Sequence, residues 1–242
     1  MKAQTSTLSS TEALAQLKAL GNPGTAKVLS KHGAKEPCYG VKIEDMKTLL
    51  KPIKGNNVLA KELFNSGVFD AMYFAGLVAD GSTMTKKEID AWAQKNYGSS
   101  ISEYTVPWVA AESPFGNELA LEWIESNKEF VAVSGWATLS SLVASKPDSE
   151  LDTKHLKKLL ARVGKEIHTA PNRVRYSMNN FVISVGSYVV SLTDEALKVG
   201  ATTKNVEVNM GDTACKVPAA TDYINKIKAR GTLGKKKKQI KC

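Results

Sequence analysis

The sequence predicts an all-α protein, and three observations lead to this fold class. Helix-start signals recur, because Ser9 precedes Glu12 and Thr85 precedes Glu88 by the three residues of a capping box. Apolar residues return at helical spacing through most of the chain, and short turns separate the periodic segments. Consecutive helices of this kind favour helix pairs stacked into a curved solenoid with a concave face, and a compact multi-helix bundle is the alternative.

The predicted helices follow one another with few interruptions. The first ends at Gly21, and Pro23, a residue favoured in the first turn of a helix, starts a second helix that Gly33 closes. Helical periodicity continues over residues 43–54, 57–66, 68–80, 85–97, 101–111, 117–127, 129–145, 152–169, 172–190 and 219–230. Residues 202–218 break the periodicity and indicate a loop or a small hairpin. We therefore expect a single helical-repeat domain over residues 1–230 and a flexible, lysine-rich tail over residues 231–242.

The positive charge of the chain is concentrated at its C-terminal end. The formal net charge is +9, yet eight of the 33 basic residues lie from Lys226 onward and no acidic residue follows Asp222. The rest of the chain carries 25 basic and 24 acidic residues, with a local excess of four basic residues over positions 146–176. An anionic partner such as a nucleic acid should therefore meet the tail and the 146–176 region first.

Several classes of protein are disfavoured by what the sequence contains. No apolar run approaches the roughly 18 residues that span a bilayer, and the start, MKAQTSTLSS, has no apolar signal region. The cysteines, Cys38, Cys215 and Cys242, are far apart, and the three histidines show no spacing typical of metal ligands. No nucleotide-binding fingerprint is present. We expect a cytoplasmic monomer with no metal, no cofactor and no membrane contact.

One predicted helix, 172–190, has two chemically different faces. Apolar side chains from Val174 to Val189 gather on one side. Arg173, Tyr176 and Asn180 gather on the other, together with two serines. A row of this composition suits contacts to phosphate or sugar, and an ordinary solvated face is the alternative.

Short motifs in the first half of the chain resemble the AlkD-like DNA alkylation repair family. The pieces are an aromatic-Gly-Val step, a Leu-Ala-x-x-Leu-aromatic helix, a helix with an early acid and a later alanine, and a Val-Pro step. They stand here as Tyr39, Gly40 and Val41; Leu59, Ala60, Leu63 and Phe64; Asp70 and Ala75; Val106 and Pro107. The resemblance extends over about residues 20 to 195 and is carried mostly by packing residues.

The resemblance implies a fold and an activity. The family has a HEAT-like repeat solenoid whose concave surface holds duplex DNA. Its active members excise cationic N3- and N7-alkylated purines by cleaving the N-glycosidic bond. Such a base is already a good leaving group, so the main task is to stabilise an oxocarbenium-like sugar with a fixed carboxylate.

The family's functional positions are mostly substituted in this chain. Glu103 stands where the family has its catalytic aspartate, four residues before the proline of the Val-Pro step. Ser99 and Asn180 stand at or near the positions of two tryptophans, and Gly135 near that of a phosphate-holding arginine. Glu103 is therefore the one catalytic candidate, and interaction with a helix dipole in a first turn is its alternative role.

The remaining site residues are candidates for DNA binding. They are Ser99, Arg173, Arg175, Tyr176, Asn180, Lys235, Lys236, Lys237 and Lys238. Three hypotheses follow: a DNA alkylation repair protein that excises bases, a non-catalytic relative that recognises DNA shape or damage, and a helical scaffold for an acidic protein. The sequence leaves open which of the three applies.

Overall fold

The protein is built almost entirely of helices. The computed structural model describes residues 8–211 and 213–241, and within them thirteen α-helices follow one another. Their bounds are α1 Ser10–Ala19, α2 Pro23–Lys31, α3 Ile43–Leu50, α4 Asn57–Asn65, α5 Phe69–Val78, α6 Lys86–Lys95, α7 Val106–Glu112, α8 Gly116–Trp123, α9 Glu129–Ser145, α10 Thr153–Glu166, α11 Asn172–Tyr188, α12 Thr193–Thr202 and α13 Ala220–Ala229. A π-helical turn, Ile101–Thr105, precedes α7. The all-α prediction is confirmed.

The helices form two rows. Helices α5, α7, α9 and α11 pack side by side in an inner row. Helices α4, α6, α8, α10 and α12 form the outer row, and α13 packs against α11 and α12. Ion pairs join successive outer helices: Lys61–Glu88, Lys86–Glu118, Arg162–Glu125 and Lys157–Glu195. The stack of helix pairs is thus the predicted solenoid, and the inner row forms its concave face.

Two apolar clusters fill the space between the rows. The N-terminal cluster includes Phe64, Phe74 and Trp92, and the C-terminal cluster includes Trp136 and Phe181. Close approach of the helices depends on small residues. A Cβ on Gly135 would lie 2.7 Å from the backbone nitrogen at the end of α8. No helix in the described ranges has an apolar stretch long enough to cross a membrane.

The motif around Tyr39 and Asp70 has a structural explanation. Asp70 is 1 % exposed at the start of α5, and its carboxylate accepts the backbone N–H groups of Tyr39, Gly40 and Val41. Gly40 has φ +75°, and a Cβ there would meet the carbonyl oxygen of Asn22 at 2.3 Å. The acid and the glycine together therefore anchor the entry loop to α5.

The structure departs from the sequence prediction in a few places. Helix α12 lies in a segment for which no helix was predicted, although Leu192, Ala196 and Val199 carry helical spacing. The segment 204–219 has neither helix nor strand at its described positions. The tail was predicted to be flexible, but its described part, 231–241, packs against the helices; Cys242 lies outside the described residues.

Candidate nucleic-acid interface

A cleft lined by both polar and apolar side chains lies against the inner row of helices in the C-terminal half. Its volume is about 550 Å³. The side chains that line it come from α9 (Ala137, Ser140, Ser141, Ala144), from α11 (Ser177, Asn180, Ser184), from the π-helical turn and α7 (Glu103, Tyr104, Trp108), and from the C-terminal segment (Lys237, Gln239, Ile240, Lys241). Four of the lining side chains, Ser140, Ser141, Ser177 and Ser184, are small and carry a hydroxyl group.

The helical period explains why these side chains reach the cleft. On α9, Ala137, Ser140 and Ala144 are spaced by three and four residues, and on α11 so are Ser177, Asn180 and Ser184. The opposite faces of both helices carry the apolar core residues. The polar face predicted for the 172–190 helix therefore contributes to this cleft, with Asn180 at its wall.

The turn that carries Glu103 is widened because of Pro107. Proline has no N–H, and in a regular α-helix its ring would clash with the carbonyl four residues earlier, which belongs to Glu103. The backbone instead closes an i to i+5 hydrogen bond, with the N–H of Val106 donating to the carbonyl of Ile101. The side chain of Glu103 in this turn is 8 % exposed. Its alternative role, interaction with a helix dipole, stays a prediction.

Glu103 is buried and forms an ion pair with Arg173. The two side chains are 8 % and 13 % exposed. Both Nε, at 3.0 Å, and Nη2 of Arg173 donate to Oε1 of Glu103. Burial raises the pKa of the Glu103 carboxyl, and the charge and hydrogen bonds of Arg173 act in the opposite direction.

Arg173 has further contacts besides Glu103, two through its guanidinium and one through its backbone. It lies over the ring of Tyr176, with 4.6 Å between the guanidinium carbon and the ring centroid. Its Nη1 donates to the sulfur of Met210 at 3.2 Å, and its backbone N–H donates to Glu129. Arg173 therefore serves an internal network, which the prediction of a phosphate contact did not foresee. Burial raises the pKa of the Tyr176 hydroxyl as well.

Arg175 joins α11 to the loop that follows α12. Its Nε donates to the carbonyl of Ala170 and its Nη1 to the carbonyl of Glu207, both at 2.9 Å. Asn172 makes a second connection, accepting from and donating to the backbone of Asn209. The loop thus covers the N-terminal end of α11. Contact of Arg175 with DNA remains a prediction.

Two positions taken from the family lie away from the cleft. Ser99 is 8 % exposed, and its hydroxyl donates to the carbonyl of His32 at 3.0 Å, so this side chain is occupied in joining α2 to the turn before α7. Gly135 faces α8 rather than the cleft, and the nearest position of α9 at the cleft is Ala137. A DNA contact of Ser99 stays a prediction, and Gly135 occupies a packing position between α9 and α8.

The lysines of the tail divide into two groups. Lys236 is one-fifth exposed and contacts the carbonyl of Val143 and the carboxylate of Asp148. Lys235, Lys237 and Lys238 are exposed.

Sequence reasoning missed several residues at this site. Met210 and Glu129, which surround Arg173, carry no motif, and nothing local marks them. Ile240 packs against the N-terminal apolar cluster. An isolated apolar residue within a lysine-rich tail was the available signal that this segment docks. Among the described residues no cluster of His, Cys, Asp and Glu side chains is arranged to hold a metal ion.

Comparison with known proteins agrees with this architecture. Residues 13–217 match the family model described as DNA alkylation repair enzyme. Two uncharacterized proteins, from Listeria monocytogenes and Listeria innocua, are each 33 % identical over 221 residues, which is 89 % of this chain and 95 % of theirs.

A solved structure is similar over nearly the whole fold. It is 33 % identical, with a TM-score of 0.90, over 97 % of this chain and 100 % of its own. It represents a family of proteins described as related to the HEAT-like repeat DNA glycosylases, with affinity for branched DNA structures.

Proposed function

Because this chain belongs to the DNA alkylation repair enzyme family, we propose that it binds branched duplex DNA on its concave face without excising bases. The observation that carries its non-catalytic part is the Glu103–Arg173 ion pair at the wall of the cleft. The affinity of the similar solved protein for branched DNA structures supports the choice of ligand.

The ion pair argues against base excision. A carboxylate stabilises an oxocarbenium-like sugar through its negative charge, which must face the reacting carbon and remain uncompensated. Oε1 of Glu103 already accepts two hydrogen bonds from a guanidinium, and burial of the pair leaves this carboxylate little access to a nucleotide. No indole stands at position 99 or 180 to replace the lost electrostatic contribution with stacking.

Binding is tested with DNA of defined shape. A fluorescent three-way junction and a linear duplex of the same total length are titrated at two salt concentrations. We expect tighter binding of the junction and a salt-dependent affinity for both ligands, because lysine–phosphate contacts release counterions. Absence of binding to either DNA would refute the proposal, and equal affinity would remove its preference for branched DNA.

Excision is tested separately on methylated duplex DNA. We expect release of 7-methylguanine no faster than from DNA without protein. Release by the wild-type protein that Glu103→Gln abolishes would instead establish base excision with Glu103 as the catalytic carboxylate. Release that persists in Glu103→Gln would also refute the non-catalytic proposal while excluding Glu103 from the chemistry.

A further inference from the structure

Residues 232–241, which we call the C-terminal strap, cross one edge of the inner row. The backbone N–H of Gly234 donates to the carbonyl of Ser187, in the last turn of α11, at 2.8 Å. The N–H of Lys237 donates to the carbonyl of Ala144, in the last turn of α9, at 2.7 Å. The strap then reaches α7 and α5 through Lys241. It thus contacts the C-terminal ends of all four inner helices in turn.

Two strap lysines point inward and neutralise these helix ends. Nζ of Lys236 donates to the carbonyl of Val143 at 2.8 Å. Nζ of Lys241, with its side chain 13 % exposed, contacts Glu112 at the end of α7 and the carbonyl of Ala79 after α5 at 2.5 Å. Cations at helix C-termini satisfy unpaired carbonyls and oppose the negative end of the helix dipole.

The position of the strap changes the electrostatics of this edge. Four inner helices end here, so without the strap the edge would present unpaired carbonyl oxygens and carboxylates, which repel phosphate. With the strap in place, Lys236 and Lys241 occupy those groups, and Lys235, Lys237 and Lys238 of the same segment remain exposed. An edge that would repel DNA becomes a basic one.

The charges that line the cleft leave Lys237 uncompensated. Glu103 is neutralised by Arg173, and Lys241 by Glu112. The remaining charged side chain of the lining is Lys237, whose ammonium lies 5.9 Å from the ring centroid of Tyr188.

The cleft lining offers hydrogen-bonding groups in addition to this cation. The hydroxyl of Ser177 is buried, lines the cleft and has no hydrogen-bond partner among the described residues. Serine hydroxyls and an ammonium are groups that proteins use to contact phosphate and sugar.

We propose that the C-terminal strap is a wall of the DNA-binding cleft, with Lys235, Lys237 and Lys238 binding backbone phosphates and Lys236 and Lys241 holding the wall in place. This inference rests on the proposed function and adds to it the segment that supplies the cationic contacts. The partner is a DNA strand seated along the cleft with its phosphates toward the strap.

The test compares two triple variants with the same change of charge. One is Lys235→Gln, Lys237→Gln and Lys238→Gln, and the matched control is Lys87→Gln, Lys95→Gln and Lys198→Gln on α6 and α12 of the outer row, outside the basic 146–176 region. All six lysines are exposed, and each variant removes three positive charges from a formal net charge of +9. Thermal unfolding verifies that both variants fold like the wild-type protein. Binding of a fluorescent three-way junction is then measured from about 50 to 200 mM salt.

We expect the strap variant to bind on the order of 10²-fold more weakly at about 0.1 M salt. The slope of its log affinity plotted against log salt concentration should be shallower than the wild-type slope by about 0.9 for each lost contact, or about 2.7 in total. The outer-row control should keep most of the affinity and slope. Replacement of the same three strap lysines by arginine should preserve both, because arginine retains the charge.

Three results would overturn the inference while leaving the proposed function intact. They are wild-type binding by the strap variant, an equal loss in the outer-row control, and tighter binding by the strap variant, which would make the strap an obstruction. A wild-type protein that does not bind the junction would instead refute the proposed function itself.

Discussion

Replacement of Arg173 by methionine leaves the carboxylate of Glu103 buried without its cation. The Glu103 side chain is 8 % exposed, so water replaces little of the lost guanidinium. Removal of one partner from a buried ion pair costs about 3–5 kcal/mol of unfolding free energy. For a chain of this size the cost corresponds to a fall of about 6–20 °C in Tm.

The expected penalty depends on pH in a known direction. Burial already raises the pKa of Glu103, and loss of Arg173 removes the opposing effect, so the pKa rises further. A carboxyl whose pKa is raised in the folded state favours folding at low pH, and this contribution disappears as pH rises through the folded pKa. The deficit of Arg173→Met should therefore be largest near pH 7 and should shrink on acidification.

A double-mutant cycle by urea unfolding at pH 7 and pH 5 checks this reasoning. Glu103→Gln combined with Arg173→Met removes both charges and should recover most of the stability that Arg173→Met loses. Three outcomes would refute this reasoning. They are a loss of unfolding free energy below about 1 kcal/mol in Arg173→Met, a loss that does not depend on pH, and a double variant no more stable than Arg173→Met alone.

Three further changes test the framework of the fold. Glu88→Gln should lower the unfolding free energy by about 0.5–1 kcal/mol near pH 7, because the variant loses the charge that pairs with Lys61. The hydrogen bond from Lys61, aided by the capping box, lowers the pKa of Glu88 to about 2. This stabilisation should be lost as pH falls from about 4.5 toward 2, so urea unfolding should show the variant and wild type converging in that window. Gly40→Ala should cost more than about 2 kcal/mol in the same assay, whereas Gly55→Ala, with φ +84° and no atom within 4 Å of an added Cβ, should cost only about 1 kcal/mol. Lys241→Gln should cost about 1–2 kcal/mol through lost contacts at two helix ends, whereas glutamine at an exposed strap lysine should change Tm little.

The helices were largely predictable because the signals that form them are local. The capping boxes at Ser9 and Thr85 are present as predicted, and most helix ends lie within a few residues of their predicted positions. The two rows also follow from the sequence, since repeated amphipathic helices bury their apolar faces most readily against their neighbours. Helix α12 was not predicted, although Leu192, Ala196 and Val199 carry helical spacing.

The site was predictable only in part. The polar face of the 172–190 helix does contribute Asn180 to the cleft, since helical periodicity determines which side chains share a face. Arg173 lies on that side of the helix as well, but its partner Glu103 is 70 residues away in the sequence. No local pattern indicates that the two side chains would neutralise each other.

The amino-acid sequence alone determined that the chain folds as stacked helices and placed its charge excess at the C-terminal end, because periodicity and composition are properties of neighbouring residues. Only the tertiary structure decided the roles of the charged groups. Whether a carboxylate is free or paired, and whether a lysine caps a helix or faces outward, depends on which distant segments share the same low-dielectric environment. For Glu103, Arg173 and the strap lysines, that environment is created by the packing of the inner row.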